Sequence, residues 1–215
     1  MNSILDMLMI IPAIIIGISF HEYAHAMAAI ALGDNTPKAQ GRDTLNPIAH
    51  IDPIGFICLL IAHFGWGRPV QIDVRNFKKP LRDQMLVALA GPVMNLVISF
   101  VSLIIYNIVL NLNLLNGLNE TVALMIDAVL TYMVIINVSL FIFNLLPLPH
   151  FDGTKVLMYF LPTKGQIVLL KLERYSFIVF LLIILTDIPE LIVTPILFGI
   201  LNGMQWLINL VIGLF

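Results

Sequence analysis

The sequence contains little cysteine and little charge. Cys58 is the single cysteine among 215 residues, so the chain cannot form an internal disulfide. Charged residues make up 11% of the chain, whereas about 25% is usual for a soluble domain. Because 60% of the residues are hydrophobic, we expect an integral membrane protein. The net charge is −2 and there is no basic block, so no nucleic-acid partner is expected.

Five stretches are long and apolar enough to cross a bilayer, which takes about 20 residues. They are residues 4–32, 83–110, 121–146, 172–188 and 191–214. The first stretch has no Lys or Arg before its apolar run, so we expect a retained helix rather than a signal peptide. The spans predict an all-α polytopic membrane protein whose single membrane-embedded core covers residues 1–215.

Two shorter segments predict further structure between the first and second spans. Residues 53–66 are apolar but short and are flanked by Pro and Gly, which favours a re-entrant or half-inserted segment over a sixth span. Apolar and polar residues alternate roughly along residues 68–77, which places Val70, Ile72 and Val74 on one side. This pattern predicts a short strand or β-hairpin. We therefore expect five to six transmembrane helices, a re-entrant segment and a small hairpin.

The basic residues predict the orientation in the membrane, because cytoplasmic loops carry an excess of Lys and Arg. All of them fall within two stretches, residues 33–82 and residues 147–174. They are Lys38, Arg42, Arg68, Arg75, Lys78, Lys79, Arg82, Lys155, Lys164, Lys171 and Arg174. Both stretches should therefore be cytoplasmic, with the N-terminus outside the cell membrane.

The first span contains the sequence HEYAH, which matches the pattern H-E-x-x-H. On a helix, His21 and His25 share one face and can both bind one metal ion. Neutral imidazoles are suitable ligands for zinc. Glu22 can then serve as the general base for water. The alternative is a polar contact between helices, with Glu22 paired to a base elsewhere. Ionisable residues inside a membrane usually have a function, which favours the metal site.

A catalytic zinc ion normally has three protein ligands, so a third is needed. Asp152, in the sequence NLLPLPHFDG, follows a predicted span and lies on the same predicted side of the membrane as the histidines. His150 is the competing ligand. Asp152 could also be an ordinary turn residue before Gly153. The residues themselves leave these alternatives open.

The second span contains the sequence AGPVMN. Gly91 permits close approach of another helix, and Pro92 frees a backbone carbonyl by removing a helical hydrogen bond. Asn95 could donate a hydrogen bond to a developing oxyanion or hold a substrate backbone. A hydrogen bond between helices explains Asn95 equally well.

Three motifs in this order resemble those of the site-2 protease family of intramembrane zinc metalloproteases. They are His21-Glu22-x-x-His25, Gly91-Pro92-x-x-Asn95 and Asn144-x-x-Pro147-x-Pro149-x-x-Asp152-Gly153. The resemblance covers residues 4–160. It implies one zinc ion held by His21, His25 and Asp152, and Glu22 as catalytic base. It also implies that Asn95 and Asn144 hold the substrate or stabilise the oxyanion.

The chain looks like the compact branch of this family, which lacks PDZ-like and CBS domains. The stretch NPIAHIDPIGF fits that branch, and for its His50 and Asp52 we expect a structural role in a loop. The resemblance implies cleavage of a transmembrane protein within or near its membrane-embedded segment. Regulated intramembrane proteolysis and removal of remnant signal peptides are the family's typical reactions.

Other partners and two rival functions follow from the same residues. We expect contact with membrane lipid, and the small, glycine-containing spans leave a homodimer open. A metal-ion transporter is one alternative, but it should carry further ionisable residues along several spans. A catalytically silent chaperone for membrane segments is the other, and the intact Glu22 argues against it.

Overall fold

The computed structural model describes residues 4–62, 65–148, 150–175, 186 and 188–212. A single 3-10 turn, η1 (Val74–Asn76), precedes the long helix α5. The α-helices in chain order are α1 (Ile4–Ala31), α2 (Thr36–Ala39), α3 (Pro47–His50), α4 (Pro53–Ala62), α5 (Pro80–Asn111), α6 (Glu120–Leu145), α7 (Asp152–Phe160), α8 (Thr163–Glu173) and α9 (Ile188–Ile212).

Four helices within the described ranges are long and apolar enough to span a membrane. Their apolar cores cover Met7–Ala31, Pro80–Asn111, Glu120–Leu145 and Leu191–Leu210. They coincide with four of the five predicted spans and confirm the all-α, multi-pass fold. Most of the remaining predicted span, 172–188, lies outside the described residues.

Helix α4 coincides with the predicted re-entrant segment. It is ten residues long, which corresponds to about 15 Å at 1.5 Å per residue. A bilayer core of about 30 Å needs a helix twice that length. Asp52 caps its start, because Asp52 Oδ1 accepts hydrogen bonds from the backbone nitrogens of Ile54 (3.0 Å) and Gly55 (2.9 Å). This is the structural loop role expected of Asp52.

The expected hairpin at residues 68–77 does not form. Residues 68–73 belong to no strand, and residues 74–76 form η1. Between residues 65 and 148 the only β-type pairing is an isolated bridge from Gly67 to Ile51. The physical reason is that side-chain carboxylates take the backbone N–H groups a partner strand would need. Val70 N donates to Glu22 and Asp73 N donates to Asp34.

The helices α1, α5 and α6 pack together through small and polar residues, as membrane helices commonly do. At Gly17 a Cβ atom would lie 2.8 Å from Leu140 Cδ1, so glycine lets α1 approach α6. Ser99 on α5 donates a 2.9 Å hydrogen bond to the Val134 carbonyl of α6. This packing brings one face of α1 against the middle of α5.

Candidate active site

Three side chains meet where α1, α5 and the start of α7 converge. The Nε2 atoms of His21 and His25 are 2.9 Å apart. Asp152 Oδ2 lies 3.2 Å from His21 Nε2 and 3.0 Å from His25 Nε2. All three residues are buried. The structure therefore brings together the three predicted metal ligands, two of them from one face of α1.

The turn between α6 and α7 carries Asp152 to the histidines. Helix α6 ends at Leu145, and α7 begins at Asp152 itself. Gly153 lies directly against the Leu145 carbonyl, where a Cβ atom would not fit. Thr154 Oγ1 donates to the Leu148 carbonyl and closes the turn. A carboxylate in the first turn of a helix is also favoured by the helix dipole.

Hydrogen bonds on the far side of each ring determine which histidine nitrogen faces Asp152. His25 Nδ1 lies 2.7 Å from the Val87 carbonyl, which can only accept, so Nδ1 carries the proton. His21 Nδ1 lies 2.7 Å from Asn95 Oδ1 and donates to it for the same reason. Both Nε2 atoms therefore present lone pairs toward the Asp152 carboxylate. With neutral imidazoles, three acceptor atoms lie within 3.2 Å of each other, an arrangement that a bound cation would stabilise.

The donor atoms suit a zinc ion. Two nitrogens or oxygens that each lie about 2.0–2.1 Å from tetrahedral zinc are about 3.3 Å apart, close to the observed 2.9–3.2 Å. Two neutral imidazoles and a carboxylate are a donor set of catalytic zinc sites. The backbone of α5 forms the floor, because a Cβ atom at Gly91 would lie 2.5 Å from His25 Nε2 and 2.6 Å from His21 Nε2.

A cavity of about 110 Å³ opens beside the three donor atoms. Glu22 lines it, and Glu22 Oε2 accepts a 2.9 Å hydrogen bond from Val70 N. Asn144 also lines it and donates one amide proton to the Leu140 carbonyl at 2.9 Å. The remaining lining residues are His21, His25, Pro69, Val70, Ile72, Val87, Ala88, His150, Asp152 and Lys155.

His150 lines the cavity but is separate from the donor cluster. It is exposed and has a positive φ of 73°. Among the described residues, the His/Asp group that could hold a metal consists of His21, His25 and Asp152. The geometry thus selects Asp152 over His150 as the partner of the two histidines.

The chain matches known proteins over most of its length. Residues 9–186 match Peptidase family M50. The chain belongs to this family. The resemblance to the site-2 proteases is therefore confirmed, and the chain is a zinc metalloprotease by family as well as a multi-pass membrane protein.

Curated relatives agree with the family. The protein named "Putative zinc metalloprotease YwhC" from Bacillus subtilis is 38% identical over 194 residues, which cover 87% of this chain and 85% of the relative. The protein named "Putative zinc metalloprotease Rip2" from Mycolicibacterium smegmatis is 26% identical over 183 residues, or 83% of this chain and 67% of the relative. The protein with the same name from Mycobacterium tuberculosis H37Rv is 27% identical over 180 residues, which cover 82% of this chain and 66% of the relative. No solved structure matches the chain.

In this M50 peptidase, Asn95 on α5 contacts His21 of the donor cluster on the side of the ring opposite Asp152. It is fully buried, and its Nδ2 donates to the Gly17 carbonyl and to Asn137 Oδ1, both at 3.0 Å. Both amide protons are used within the bundle, and Asn95 Oδ1 accepts from His21. The role of Asn95 toward the substrate stays a prediction. Sequence reasoning missed Asn137, although an amide side chain within an apolar span is itself a signal.

The carbonyl that accepts a hydrogen bond from His25 is not the one that Pro92 frees. Pro92 cannot donate to Ala88 O, four residues earlier, so that carbonyl is the one its ring leaves without a helical partner. The contact to His25 Nδ1 is made by the neighbouring Val87 carbonyl instead. The proline thus lies in the helical turn that faces the cluster, while Gly91 supplies the clearance.

A second acidic residue, which sequence reasoning missed, holds the segment that covers the M50 cavity. We call residues 68–73 the cover segment. Asp34 is fully buried and accepts hydrogen bonds from Asp73 N (2.7 Å), Asn76 Nδ2 (2.8 Å) and both Thr36 N (3.0 Å) and Thr36 Oγ1 (2.5 Å). The signal in the sequence was an aspartate two residues before threonine, which favours a turn.

These contacts determine the charge state of Asp34. Burial by itself raises the pKa of the carboxyl, but the hydrogen bonds from Thr36, Asn76 and Asp73 outweigh it and lower the pKa below the usual value. Asp34 is therefore ionised at neutral pH. The cover segment is held at two points, by Glu22 at Val70 and by Asp34 at Asp73.

His50 has a structural position outside the donor cluster, as expected. It is fully buried, and its Nε2 donates to the Thr44 carbonyl at 2.6 Å. Its own carbonyl accepts a 2.7 Å hydrogen bond from Arg68 N, at the start of the cover segment. His50 therefore links the loop before α4 to the cover segment.

Proposed function

We propose that this M50 peptidase is an intramembrane protease that hydrolyses peptide bonds within or near transmembrane segments of other membrane proteins. The observation that carries the proposal is the position of the metal cluster on a membrane-spanning helix. His21 and His25 lie ten and six residues before the end of α1 at Ala31. These separations correspond to about 15 and 9 Å along the helix, within the thickness of a bilayer.

Each residue of the cluster has a role in this proposal. His21, His25 and Asp152 hold zinc, which supplies Lewis acidity that makes water a nucleophile near neutral pH and polarises a carbonyl. Glu22 takes a proton from the attacking water and delivers it to the leaving amine. One Glu22 oxygen is held by Val70 N, which leaves the other for proton transfer. Asn144 lines the cavity and can bind the substrate backbone.

The substrate and the orientation are part of the same proposal. A transmembrane segment must be extended near the bond that is cut. Pro69, Val70 and Ile72 of the cover segment line the cavity that such an extended chain would enter. The basic residues of 33–82 and 147–174 support a cytoplasmic opening of the active site, with the N-terminus outside the cell membrane.

The test is cleavage of tagged single-span membrane proteins by the purified, membrane-reconstituted chain, with and without a zinc chelator. The chelator should abolish cleavage, and zinc should restore it. Glu22→Gln should bind zinc but not cleave, because the base is lost while the ligands remain. Asp152→Asn should lose zinc, and His150→Ala should keep it. Cleavage by the Glu22→Gln variant would refute the proposed mechanism.

A further inference from the structure

We propose that Lys155 is a further catalytic residue, whose ammonium group binds the carbonyl oxygen of the scissile bond as negative charge develops there. The proposal rests on the proteolytic function given above. Lys155 follows Asp152 by three residues on α7, so both side chains lie on one face of the helix. Lys155 Nζ is 3.4 Å from Asp152 Oδ1, while Asp152 Oδ2 faces the histidines. The Asp152 carboxylate therefore lies between the ammonium group and the two histidines.

Lys155 is placed to act on a molecule in the cavity. It lines the cavity together with Glu22 and Asn144, and its side chain is 42% exposed, against 8% for Asp152. An ammonium group has three protons to donate, and the long contact to Asp152 engages one of them weakly. The other protons can bind an oxygen atom of a substrate.

The other polar groups of the site are less suited to this task. Asn95 is fully buried below the cluster and uses both amide protons within the bundle. Asn144 has one amide proton committed to the Leu140 carbonyl, and Glu22 is an acceptor. Among the described residues that line the cavity, Lys155 is the only lysine or arginine.

A cation beside the carbonyl oxygen would assist the hydrolysis in addition to the metal. The water oxygen bonds to the carbonyl carbon, the π electron pair moves onto the carbonyl oxygen, and Glu22 takes the proton released from water. The C–N bond then breaks, the carbonyl re-forms, and Glu22 returns the proton to the leaving nitrogen. A cation preorganised beside the carbonyl oxygen stabilises the transition state more than the ground state, because the negative charge exists only in the former.

A structural role for Lys155 predicts something different. If its only function were to hold Asp152, its loss would weaken zinc binding and would lower kcat only through loss of the metal. If it binds the developing oxyanion, its loss should lower kcat in protein that is fully loaded with zinc. Zinc content and kcat therefore separate the two roles.

The experiment compares zinc-loaded, membrane-reconstituted variants on a tagged single-span substrate that the wild-type chain cleaves. We expect Lys155→Met to lower kcat about 10²- to 10³-fold, the usual effect of removing one oxyanion donor, with KM and zinc affinity unchanged. Lys155→Arg should recover part of kcat because it keeps the charge, whereas Lys155→Gln should not. The matched control is Lys164→Met, on the exposed surface of α8 and outside the cavity.

Two results would overturn the proposal. One is Lys155→Met or Lys155→Gln with wild-type kcat. The other is a loss of activity that matches a loss of zinc, since this indicates a role confined to Asp152. Thermal unfolding of every variant identifies any that fails to fold, and Lys155→Gln then replaces Lys155→Met. A wild-type chain that cleaves nothing, or an active Glu22→Gln variant, would instead refute the proposed function itself.

Discussion

Replacing Gly91 by alanine should remove zinc from this peptidase while leaving its helices intact. The added Cβ atom would lie 2.5 Å from His25 Nε2 and 2.6 Å from both His21 Nε2 and His25 Cε1. Non-bonded heavy atoms normally stay about 3.5–4.0 Å apart. The histidine rings or the backbone of α5 must therefore shift by about 1 Å, whereas metal ligands tolerate about 0.2 Å.

Neither shift leaves the site intact. If α5 moves away from α1, the 2.7 Å hydrogen bonds from His25 to Val87 O and from His21 to Asn95 are broken. If the rings rotate instead, their Nε2 atoms leave the positions that face Asp152. Loss of a supporting hydrogen bond alone costs about 10- to 100-fold in metal affinity. We expect Gly91→Ala to weaken zinc binding by at least that factor, because two ligands are displaced together.

The assay is zinc affinity measured by competition with a chelator, with thermal unfolding recorded in parallel. Gly203→Ala is the matched control, because a Cβ atom at Gly203 on α9 meets nothing within 4 Å. Alanine is favoured over glycine within a helix by about 0.5–1 kcal/mol, so both variants should remain folded. A Gly91→Ala protein that binds zinc and cleaves like wild type would refute the geometry described for the site.

Two further predictions concern the residues that support the site. Asn95→Ala should weaken zinc binding about 10- to 100-fold, since His21 loses the partner that orients it; chelator competition measures this, and unchanged affinity would contradict the role of Asn95. Asp34→Asn should lower thermal stability at neutral pH. Because the pKa of Asp34 is lowered in the folded state, its contribution is complete above the ordinary value of 3.8 and disappears as the pH falls through the folded-state pKa. The difference from wild type should therefore shrink in acid, and a difference independent of pH would count against this account.

The local motifs could be read from the sequence because helical geometry determines them. A membrane span of about 20 apolar residues forms a helix, because lipid offers no hydrogen-bond partners and a helix satisfies its backbone groups internally. Once α1 is a helix, the spacing of His21 and His25 places both on one face with Glu22 beside them. The four spans and the predicted metal-binding pair follow from such short-range rules, whereas the family was indicated by the resemblance of three motifs and shown by the match to Peptidase family M50.

Contacts between distant residues could not be read in this way. The residues themselves left Asp152 and His150 as competing ligands, and only the family resemblance implied Asp152. In the structure, the turn after α6 brings Asp152 Oδ2 within 3.2 Å of both histidines. The residues left Asn95 equally suited to bind substrate or another helix, and in the structure its amide donates to the Gly17 carbonyl and to Asn137. The residues of each contact lie tens of positions apart, so only the folded bundle specifies them.

The cover segment shows most clearly the difference between what the sequence predicts and what long-range packing decides. Its alternating residues predicted a hairpin, but alternation specifies only which side chains share a face. Whether the backbone pairs with a strand depends on what lies opposite it, and here Glu22 and Asp34 take its N–H groups. The sequence by itself determined a membrane-spanning helix that carries two predicted zinc ligands and a predicted base. Only the tertiary structure shows how Asp152, the amide of Asn95 and the cover segment come to lie beside the histidines and the cavity, because each contact depends on long-range packing.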